Sequence, residues 1–357
     1  MTLTQSSLDT PALLIDLDAV DANLATMREA VADTGVTVRS HFKSLKCAGL
    51  ARYLWKRGFT AFLAAKLCEA EVLADAGVRD LFVANQIVGP QKIARLVDLA
   101  GRCELSVAVD DASNLADISR AADRAGASLG VLVEVDSNMA RCGATTNDEV
   151  VKIARQAAES PGVRFAGLQG YDGHNQHVAD PEPRRAGCLA SLERLLGYRR
   201  AVEQAGLPCP VLTTGGTGTY DLSPHGEGVT EIQPGSYVLM DCHYVRIAPA
   251  FRCALTVLST VISRRPGQYV LDAGYKAASK DYDLAQLVGR PAEEKVLGMS
   301  EEHTRVATTG EPPTLGSRVE LLPSHCCGTM NLHRRCYALR GERIEFAWPI
   351  EASGRYD

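Results

Sequence analysis

The segment VTVRSHF (36–42) begins a series of eight strand-like apolar runs that alternate with helix-like segments. The other seven runs are TAFLAA (60–65), DLFVANQ (80–86), ELSVAVD (104–110), LGVLVEVD (129–136), VRFAGLQ (163–169), CPVLTTG (209–215) and VTEIQPGS (229–236). Strands that alternate with helices form a parallel sheet, and eight such units close into a barrel. The sequence therefore predicts an α/β fold, a (β/α)8 barrel of the TIM type, with its active site at the carboxyl ends of the strands.

The pattern changes after about residue 247, where strand-like segments follow one another without helices between them. These segments are CALTVLSTVISR (253–264), QYVLDAG (268–274), RVELLPSHCC (318–327), RCYALR (335–340) and RIEFAWPI (343–350). Strands joined by short turns pair antiparallel. We therefore expect a barrel over 17–246 and an antiparallel β domain formed by 1–16 together with 247–357.

Composition and charge narrow the class of protein. An apolar share of 46% and a charged share of 23% are typical of a soluble globular protein. The formal net charge of -5 offers no basic surface, so we expect no nucleic-acid partner. The start MTLTQSSLDTP has no targeting pattern and no apolar run of about 20 residues follows, which predicts a cytoplasmic protein without membrane association. The eleven cysteines are odd in number and lack CxxC spacing, so we expect mostly buried thiols.

Residues with side chains suited to catalysis or ligand binding lie at or after the ends of the strand-like runs. They are His41, Lys43, Gln86, Arg141, Gln169, Tyr171, His177, the glycine-rich 215–218 and Tyr237. Lys43 follows the first run, two residues after an imidazole, where its amine can point into the mouth of the barrel. Partial desolvation lowers the pKa of a lysine there and frees the amine for a Schiff base with a cofactor aldehyde. The alternative for this segment alone is a solvated lysine at a strand end.

A glycine-rich turn, TTGGTGTY (213–220), follows the seventh run. Its backbone N–H groups at Gly216, Thr217 and Gly218 are unobstructed by large side chains, as an anion-binding nest requires. Barrels commonly bind phosphate after strands seven and eight, and the loop with Tyr237 adds hydroxyl donors. The turn alone could be only a tight loop. Together with Lys43 on strand one, it predicts pyridoxal phosphate as the cofactor.

Further motifs occur in a recognisable order along nearly the whole chain. They are HFKSLK (41–46), LVEVDSNMARCG (132–143), GLQGYDGHNQH (167–177), GGTGTY (215–220), QPGSYVLMD (233–241), LDAGYKAAS (271–279) and LLPSHCCGTMNL (321–332). The chain resembles the alanine-racemase-like (fold type III) pyridoxal-phosphate enzymes, and more narrowly the group of D-threonine aldolase, 3-hydroxy-D-aspartate aldolase and D-serine dehydratase. The resemblance implies that Lys43 is the Schiff-base lysine, that Arg141 lies beside the cofactor ring, and that His325 and Cys327 bind a metal.

The HCC segment (325–327) supports a metal site independently of the resemblance. Alternation along an extended segment places His325 and Cys327 on one face. Imidazole and thiolate are both good ligands for zinc, and two protein ligands leave positions open for water and substrate. The alternatives are ordinary core residues or oxidation of the adjacent pair Cys326 and Cys327. We expect zinc or manganese, with magnesium as the third option.

The resemblance leaves two reactions open for a small β-hydroxy D-amino acid. Group aldolases usually have His-x-Asp where this chain has the His-x-Cys of the dehydratases, whereas YDGHNQH and GGTGTY favour the aldolases. We predict retro-aldol cleavage, with His177 as a candidate acid or base near the substrate hydroxyl and Gln169 facing the pyridine nitrogen. Dehydration to an oxoacid and ammonia is the alternative, and a racemase or a non-catalytic cofactor-binding protein is more remote. We also expect a homodimer.

Overall fold

The structure is a computed structural model that describes residues 4–357. The strands of this range are β1 Ala12–Asp16, β2 Thr37–Val38, β3 Ser40–His41, β4 Ala61–Ala64, β5 Asp80–Val83, β6 Glu104–Val109, β7 Leu129–Glu134, β8 Val163–Gly170, β9 Val211–Thr214, β10 Glu231–Ile232, β11 Leu255–Arg265, β12 Gln268–Leu271, β13 Gln286–Leu287, β14 Lys295–Met299, β15 Thr304–Ala307, β16 Arg318–Leu322, β17 Arg335–Arg340 and β18 Arg343–Pro349. The α-helices are α1 Leu17–Val31, α2 Ala48–Trp55, α3 Leu67–Asp75, α4 Pro90–Ala100, α5 Ala112–Arg124, α6 Asn147–Glu159, α7 Pro181–Gln204 and α8 Cys326–Leu332.

One compact unit, called the barrel unit here, comprises residues 27–43, 51–235 and 355–357. Its strands form a parallel sheet in the order β2, β10, β9, β8, β7, β6, β5, β4, β3. Since only Arg39 separates β2 from β3, the two ends of this order belong to one interrupted strand and the sheet closes on itself. The N–H groups of Arg39 and His41 continue the pairing, donating to Ile232 and Pro234 carbonyls at 2.9 Å.

The apolar runs form these strands because both of their faces are buried. All six residues of β7 are buried, as expected for a strand covered on both sides. The interior cluster of the barrel consists of Leu63, Phe82, Ala108, Leu132 and Ala166. Helices α5, α6 and α7 begin at side-chain caps; Asp111, for example, accepts hydrogen bonds from the N–H groups of Ser113 and Asn114 at the start of α5. The helix caps and the buried apolar strands therefore both support the predicted alternation of strands and helices.

Arg39 marks the break in the first barrel strand. Its side chain is buried and donates to both carboxylate oxygens of Glu231, at 3.0 and 2.6 Å, and to Asp80 at 2.7 Å. Bidentate pairing of this kind compensates the cost of burying charge. The guanidinium thus joins β10 to β5 across the first strand.

The second unit, called the β unit here, comprises residues 4–26, 44–50 and 236–354 of the described chain. Its sheet has the order β14, β15, β12, β11, β1, β17, β18, and β16 pairs with both β11 and β13. Strand β1 pairs antiparallel with β11 and parallel with β17. The N-terminal strand is therefore an internal strand of the C-terminal sheet.

The predicted fold class, an α/β barrel with a separate antiparallel β domain, is confirmed. The boundaries drawn from the sequence, 17–246 and 1–16 with 247–357, stay a prediction. Within residues 4–357, no helix has the length and apolar character needed to cross a bilayer.

Candidate active site

Lys43 lies in a 3-10 turn, Phe42–Ser44, directly after β3. Its side chain is half-buried, and its backbone N–H donates to Nδ1 of the buried His41 at 3.4 Å. Lys43 Nζ is 5.7 Å from the centre of the Tyr171 ring, and Cζ of the exposed Arg141 is 5.5 Å from the same ring. The barrel unit therefore brings Lys43, Tyr171 and Arg141 together, with two cations beside one aromatic ring.

Glu134, which the sequence reasoning missed, lies at the end of β7 next to this cluster. Its carboxylate accepts a hydrogen bond from Gln86 Nε2 at 2.5 Å and is 4.0 Å from Arg141 Nη2. Burial raises the pKa of Glu134 to about 7, although the hydrogen bond from Gln86 and the charge of Arg141 oppose this. A glutamate within an otherwise apolar run is a signal for such a buried, paired carboxyl group.

Gln169, in β8, and Gln233, directly after β10, form a neutral amide pair across the intervening strand β9. Gln233 Nε2 donates to Gln169 Oε1 at 3.4 Å and to Thr213 Oγ1 at 2.9 Å, while Gln169 Nε2 donates to the Ala84 carbonyl at 3.5 Å. Both glutamines are buried. The sequence predicted Gln169 here and missed Gln233, although Gln233 lies within the eighth run.

The glycine-rich turn is held by Gln176 from the loop after β8. Gly218 N–H donates to Gln176 Oε1 at 2.7 Å, and Gln176 Nε2 donates to Thr219 Oγ1 at 2.9 Å. A Cβ atom at Gly216 would lie 2.5 Å from Gln176 Oε1, and one at Gly218 would lie 2.6 Å from the Gln176 carbonyl. The glycines therefore make room for Gln176. The Gly218 N–H is already bonded, which differs from the row of available donors that the sequence suggested. Thr217 is buried in the same turn.

Asp172 accepts a hydrogen bond that holds the Gln176 side chain in place. Gln176 Nε2 donates to Asp172 Oδ1 at 2.8 Å, and Asp172 Oδ2 is buried without a hydrogen-bond partner among the described residues. Burial raises the pKa of Asp172 to about 7, against the opposing effect of the Gln176 hydrogen bond. This chain of polar side chains fixes the turn from inside the protein.

The structure also describes two further predicted site residues, His177 and Tyr237. His177 is exposed in the loop between the 3-10 turn Gly173–Asn175 and α7. Tyr237 belongs to the β unit, where it is fully buried and its ring centre is 5.8 Å from that of Phe251. The ring of Tyr237 is thus part of a packed core.

The HCC segment has a different conformation from the extended one that we expected. His325 is extended, but α8 begins at Cys326, so the strand alternation inferred for 325–327 is wrong. The first turn of the helix is capped from outside by Asp241, whose Oδ2 accepts the Cys326 N–H at 2.8 Å. The first backbone bond of the helix runs from Thr329 N–H to the His325 carbonyl at 3.1 Å. Cys326 is fully buried, whereas Cys327 is partly exposed.

His325 and Cys327 nevertheless interact. Burial lowers the pKa of His325, but the hydrogen bond and charge of Cys327, with Asp281 and Asp241, outweigh it and raise the pKa to about 9. Cys327 Sγ is also 3.0 Å from Ser44 Oγ. No group of three or more His, Cys, Asp or Glu side chains in residues 4–357 is arranged to hold a metal ion. An imidazole and a thiol in contact are a suitable pair for a borderline divalent ion.

Comparison with known proteins defines the class to which this barrel belongs. Residues 15–242 match the model of the alanine racemase N-terminal domain, and residues 254–339 match that of a putative serine dehydratase domain. The chain therefore belongs to the alanine-racemase-like family, in the group that contains D-threonine aldolase and 3-hydroxy-D-aspartate aldolase. The predicted resemblance is confirmed, and membership in this family implies pyridoxal phosphate.

Relatives match over nearly their full length. A D-threonine aldolase from Arthrobacter sp. is 36% identical over 97% of this chain and 93% of its own. A 3-hydroxy-D-aspartate aldolase from Paracoccus denitrificans is 34% identical, covering 99% and 94%. A D-threo-3-hydroxyaspartate dehydratase from Delftia sp. is 30% identical, covering 91% and 93%. The crystal structure of D-threonine aldolase from Filomicrobium marinum superposes with a TM-score of 0.94, at 35% identity over 99% and 98% of the chains.

The residues present fit the implied cofactor. A half-buried amine and a guanidinium beside one aromatic ring suit an anionic aromatic aldehyde. The amine, the guanidinium and the aromatic ring of the barrel unit therefore fit the aldehyde and the negative charge of pyridoxal phosphate.

Proposed function

We propose that this chain is a pyridoxal-phosphate- and divalent-metal-dependent lyase that cleaves a β-hydroxy D-amino acid, of the D-threonine or 3-hydroxy-D-aspartate type, to glycine and an aldehyde. The observation that carries the proposal is the cluster in which Lys43 and Arg141 lie against the Tyr171 ring. A partly buried amine beside a second cation suits attack on the carbonyl of an anionic molecule. Pyridoxal phosphate, when bound, supplies the electron sink that weakens the bonds at the substrate Cα.

The side chains of the barrel unit have separate roles in the proposed reaction. Lys43 would hold the cofactor through its amine, and the same amine would accept or return a proton at the substrate Cα. Arg141 keeps positive charge beside the ring, with Glu134 as its buried counterion. Since the pKa of Glu134 is raised to about 7, this carboxyl group can hold or release a proton near neutral pH. Gln169 presents a neutral amide, which stabilises a protonated pyridine nitrogen less than a charged partner would.

His325 and Cys327 would hold the divalent metal, whose chemistry would be to lower the pKa of the substrate hydroxyl. Their imidazole and thiol favour zinc over magnesium, which prefers oxygen ligands, and manganese is retained as the second option. Ser44, the residue after Lys43 in the chain, is 3.0 Å from the Cys327 thiol. His177 is the candidate base for the hydroxyl proton, because it is exposed in the loop after β8.

Cleavage is favoured over elimination by the relatives, since the two aldolases are 36% and 34% identical and the dehydratase is 30% identical. One observation favours the second candidate function, dehydration. The thiol of Cys327 stands where aldolases of the group usually have a carboxylate. We retain D-serine or 3-hydroxyaspartate dehydration as the alternative on that ground.

Product analysis separates the two reactions. The purified protein is given D-threonine, D-serine and 3-hydroxy-D-aspartate in turn, and we expect glycine and an aldehyde from at least one substrate. Stoichiometric ammonia and oxoacid without glycine would instead establish the dehydratase. Lys43→Ala should abolish turnover by ~10³-fold or more, because the amine acts as nucleophile and base. Lys56→Ala, at an exposed lysine of the same unit, is the matched control and should retain full activity.

The small-molecule substrate is the only partner that the proposed chemistry needs. From the family resemblance we further propose a cytoplasmic homodimer in which the β domain helps to close the partner's active site. Sedimentation velocity of the active protein tests this proposal, and full activity in a monomer would contradict it.

A further inference from the structure

A loop of the β unit, residues 279–282, packs directly against the proposed metal ligand His325. Asp281 Oδ2 lies 2.8 Å from His325 Nδ1, although the two residues are 44 positions apart in the chain. The Tyr282 ring lies 4.8 Å from the imidazole, centre to centre, and its other neighbour is His243, stacked at 4.2 Å. The imidazole is therefore held by a carboxylate at one nitrogen and by an aromatic ring at its side.

Hydrogen bonds attach this loop to both sides of the HCC segment. Ser279 N–H donates to Thr329 Oγ1 at 3.1 Å, and Thr329 Oγ1 donates to the His325 carbonyl at 2.9 Å. On the other side, Ser324 Oγ donates to the Ser279 carbonyl at 2.9 Å. Because the anchor residues flank His325, the position of Asp281 is fixed relative to the imidazole and does not depend on one side-chain contact alone.

Gly328, in the first turn of α8, is required for this approach. A Cβ atom at Gly328 would lie 2.6 Å from Ser279 Oγ and 2.7 Å from Asp281 Oδ2, closer than real Cβ atoms come. The backbone of Gly328 is not among those with positive φ, so the need for glycine is one of space. Any side chain here would displace the Asp281 carboxylate from His325.

We infer that Asp281 is a positioning residue for the metal-binding imidazole. A carboxylate that accepts the Nδ1–H of a histidine fixes its tautomer and ring orientation, which leaves Nε2 as the ligand nitrogen. Such outer partners also increase the basicity of the ligand. This inference rests on the proposed function, since it assumes that His325 and Cys327 hold a metal.

The test measures zinc affinity rather than turnover. Chelator-stripped, purified full-length protein is titrated with Zn²⁺ against a competing chelator, and thermal unfolding of the stripped protein is recorded for each variant. Asp281→Ala should weaken zinc binding by about 10–100-fold without a change in unfolding temperature, because Asp281 is largely exposed. Asp283→Ala is the matched control: Asp283 is an exposed carboxylate two residues away that accepts the N–H of Leu284 at 2.7 Å.

Gly328→Ala adds a variant that keeps the Asp281 charge but moves its carboxylate, and it should also weaken zinc binding. Weaker binding in both variants, with Asp283→Ala unchanged, supports positioning by Asp281. Equal losses for Asp281→Ala and Asp283→Ala would overturn it, because the effect would then be one of general charge. Unchanged affinity in Asp281→Ala or Gly328→Ala would overturn it as well, provided that His325→Ala loses zinc. If His325→Ala binds zinc normally, the metal site of the proposed function is itself wrong.

Discussion

Two adjacent cysteines, Cys326 and Cys327, have opposite environments although they are chemically identical. The Cys326 side chain is fully buried at the start of α8. The hydrogen bond with Cys327 and burial both raise the pKa of the Cys326 thiol, so it stays protonated. Cys327 is partly exposed, with its sulfur 3.0 Å from Ser44 Oγ and 3.7 Å from Ser236 Oγ. Only Cys327 is therefore available as a ligand.

Replacing each cysteine in turn should separate a ligand from a core residue. Cys327→Ala should lower the metal content of the purified protein by at least about 10-fold, since one of two proposed protein ligands is lost. Cys326→Ala should keep the metal and cost about 1 kcal/mol of unfolding free energy, because it removes a buried sulfur. Elemental analysis and urea unfolding provide the two measurements. Similar metal loss in both variants would argue against this ligand assignment.

Residue-level reasoning from the sequence yields a site hypothesis where the pattern is local. His325 and Cys327 stand out because an imidazole and a thiol two positions apart form a recognisable ligand pair. Asp281 does not, because a single carboxylate 44 residues away gives no local signal and becomes relevant only through the tertiary contact. Glu134 is predictable only in part. Its place at the end of an apolar strand indicates a paired carboxyl group, but the sequence does not show which residue is its partner.

At the scale of elements, two loops that the sequence presents separately are joined in the structure. The loop after β8 contributes Gln176 and Asp172, and the turn after β9 contributes Gly216 and Gly218. The glycine pattern indicated an anion site, but not that one of its N–H groups is used by a glutamine side chain. The barrel brings the ends of neighbouring strands together, and the contact between the two loops depends on this. A short sequence motif cannot predict such a contact.

The buried carboxyl group of Asp172 predicts how stability depends on pH. Burial raises its pKa from 3.8 to about 7 in the folded protein. Between these values the folded state holds a proton that the unfolded chain has lost, so the unfolding free energy should fall as pH rises from about 4 to about 7. The effect is on the order of a few kcal/mol, since one pKa unit is worth about 1.4 kcal/mol.

Asp172→Asn isolates this contribution, because asparagine cannot ionise but keeps an oxygen to accept the Gln176 hydrogen bond. Urea unfolding at pH 5 and pH 8 should show a smaller decline in the variant than in the unaltered protein. Glu134, whose pKa is also raised to about 7, contributes equally to both proteins and cancels in the comparison. Identical declines in the two proteins would show that Asp172 ionises normally.

At the scale of the whole molecule, each observed strand of the barrel falls within one of the eight apolar runs, except that β8 extends one residue beyond its run, to Gly170. What the runs did not predict is the interruption of the first strand at Arg39, whose partners Glu231 and Asp80 lie on other strands. They also did not predict α8, because the capping carboxylate Asp241 is 85 residues from Cys326. Periodicity thus specifies which segments are buried, whereas long-range polar contacts decide where an element breaks or begins.

The proposed lysine and metal motifs belong to different units, Lys43 to the barrel unit and His325 with Cys327 to the β unit. Since separate residues would hold the cofactor and the metal, each should be removable without loss of the other. Exhaustive chelation should abolish turnover while the visible absorption band of the bound cofactor remains, and added Zn²⁺ or Mn²⁺ should restore activity. Lys43→Ala should lose the covalently bound cofactor band yet retain the metal, as elemental analysis would show. Loss of the cofactor band on chelation, or full activity in the chelated protein, would contradict this division of roles.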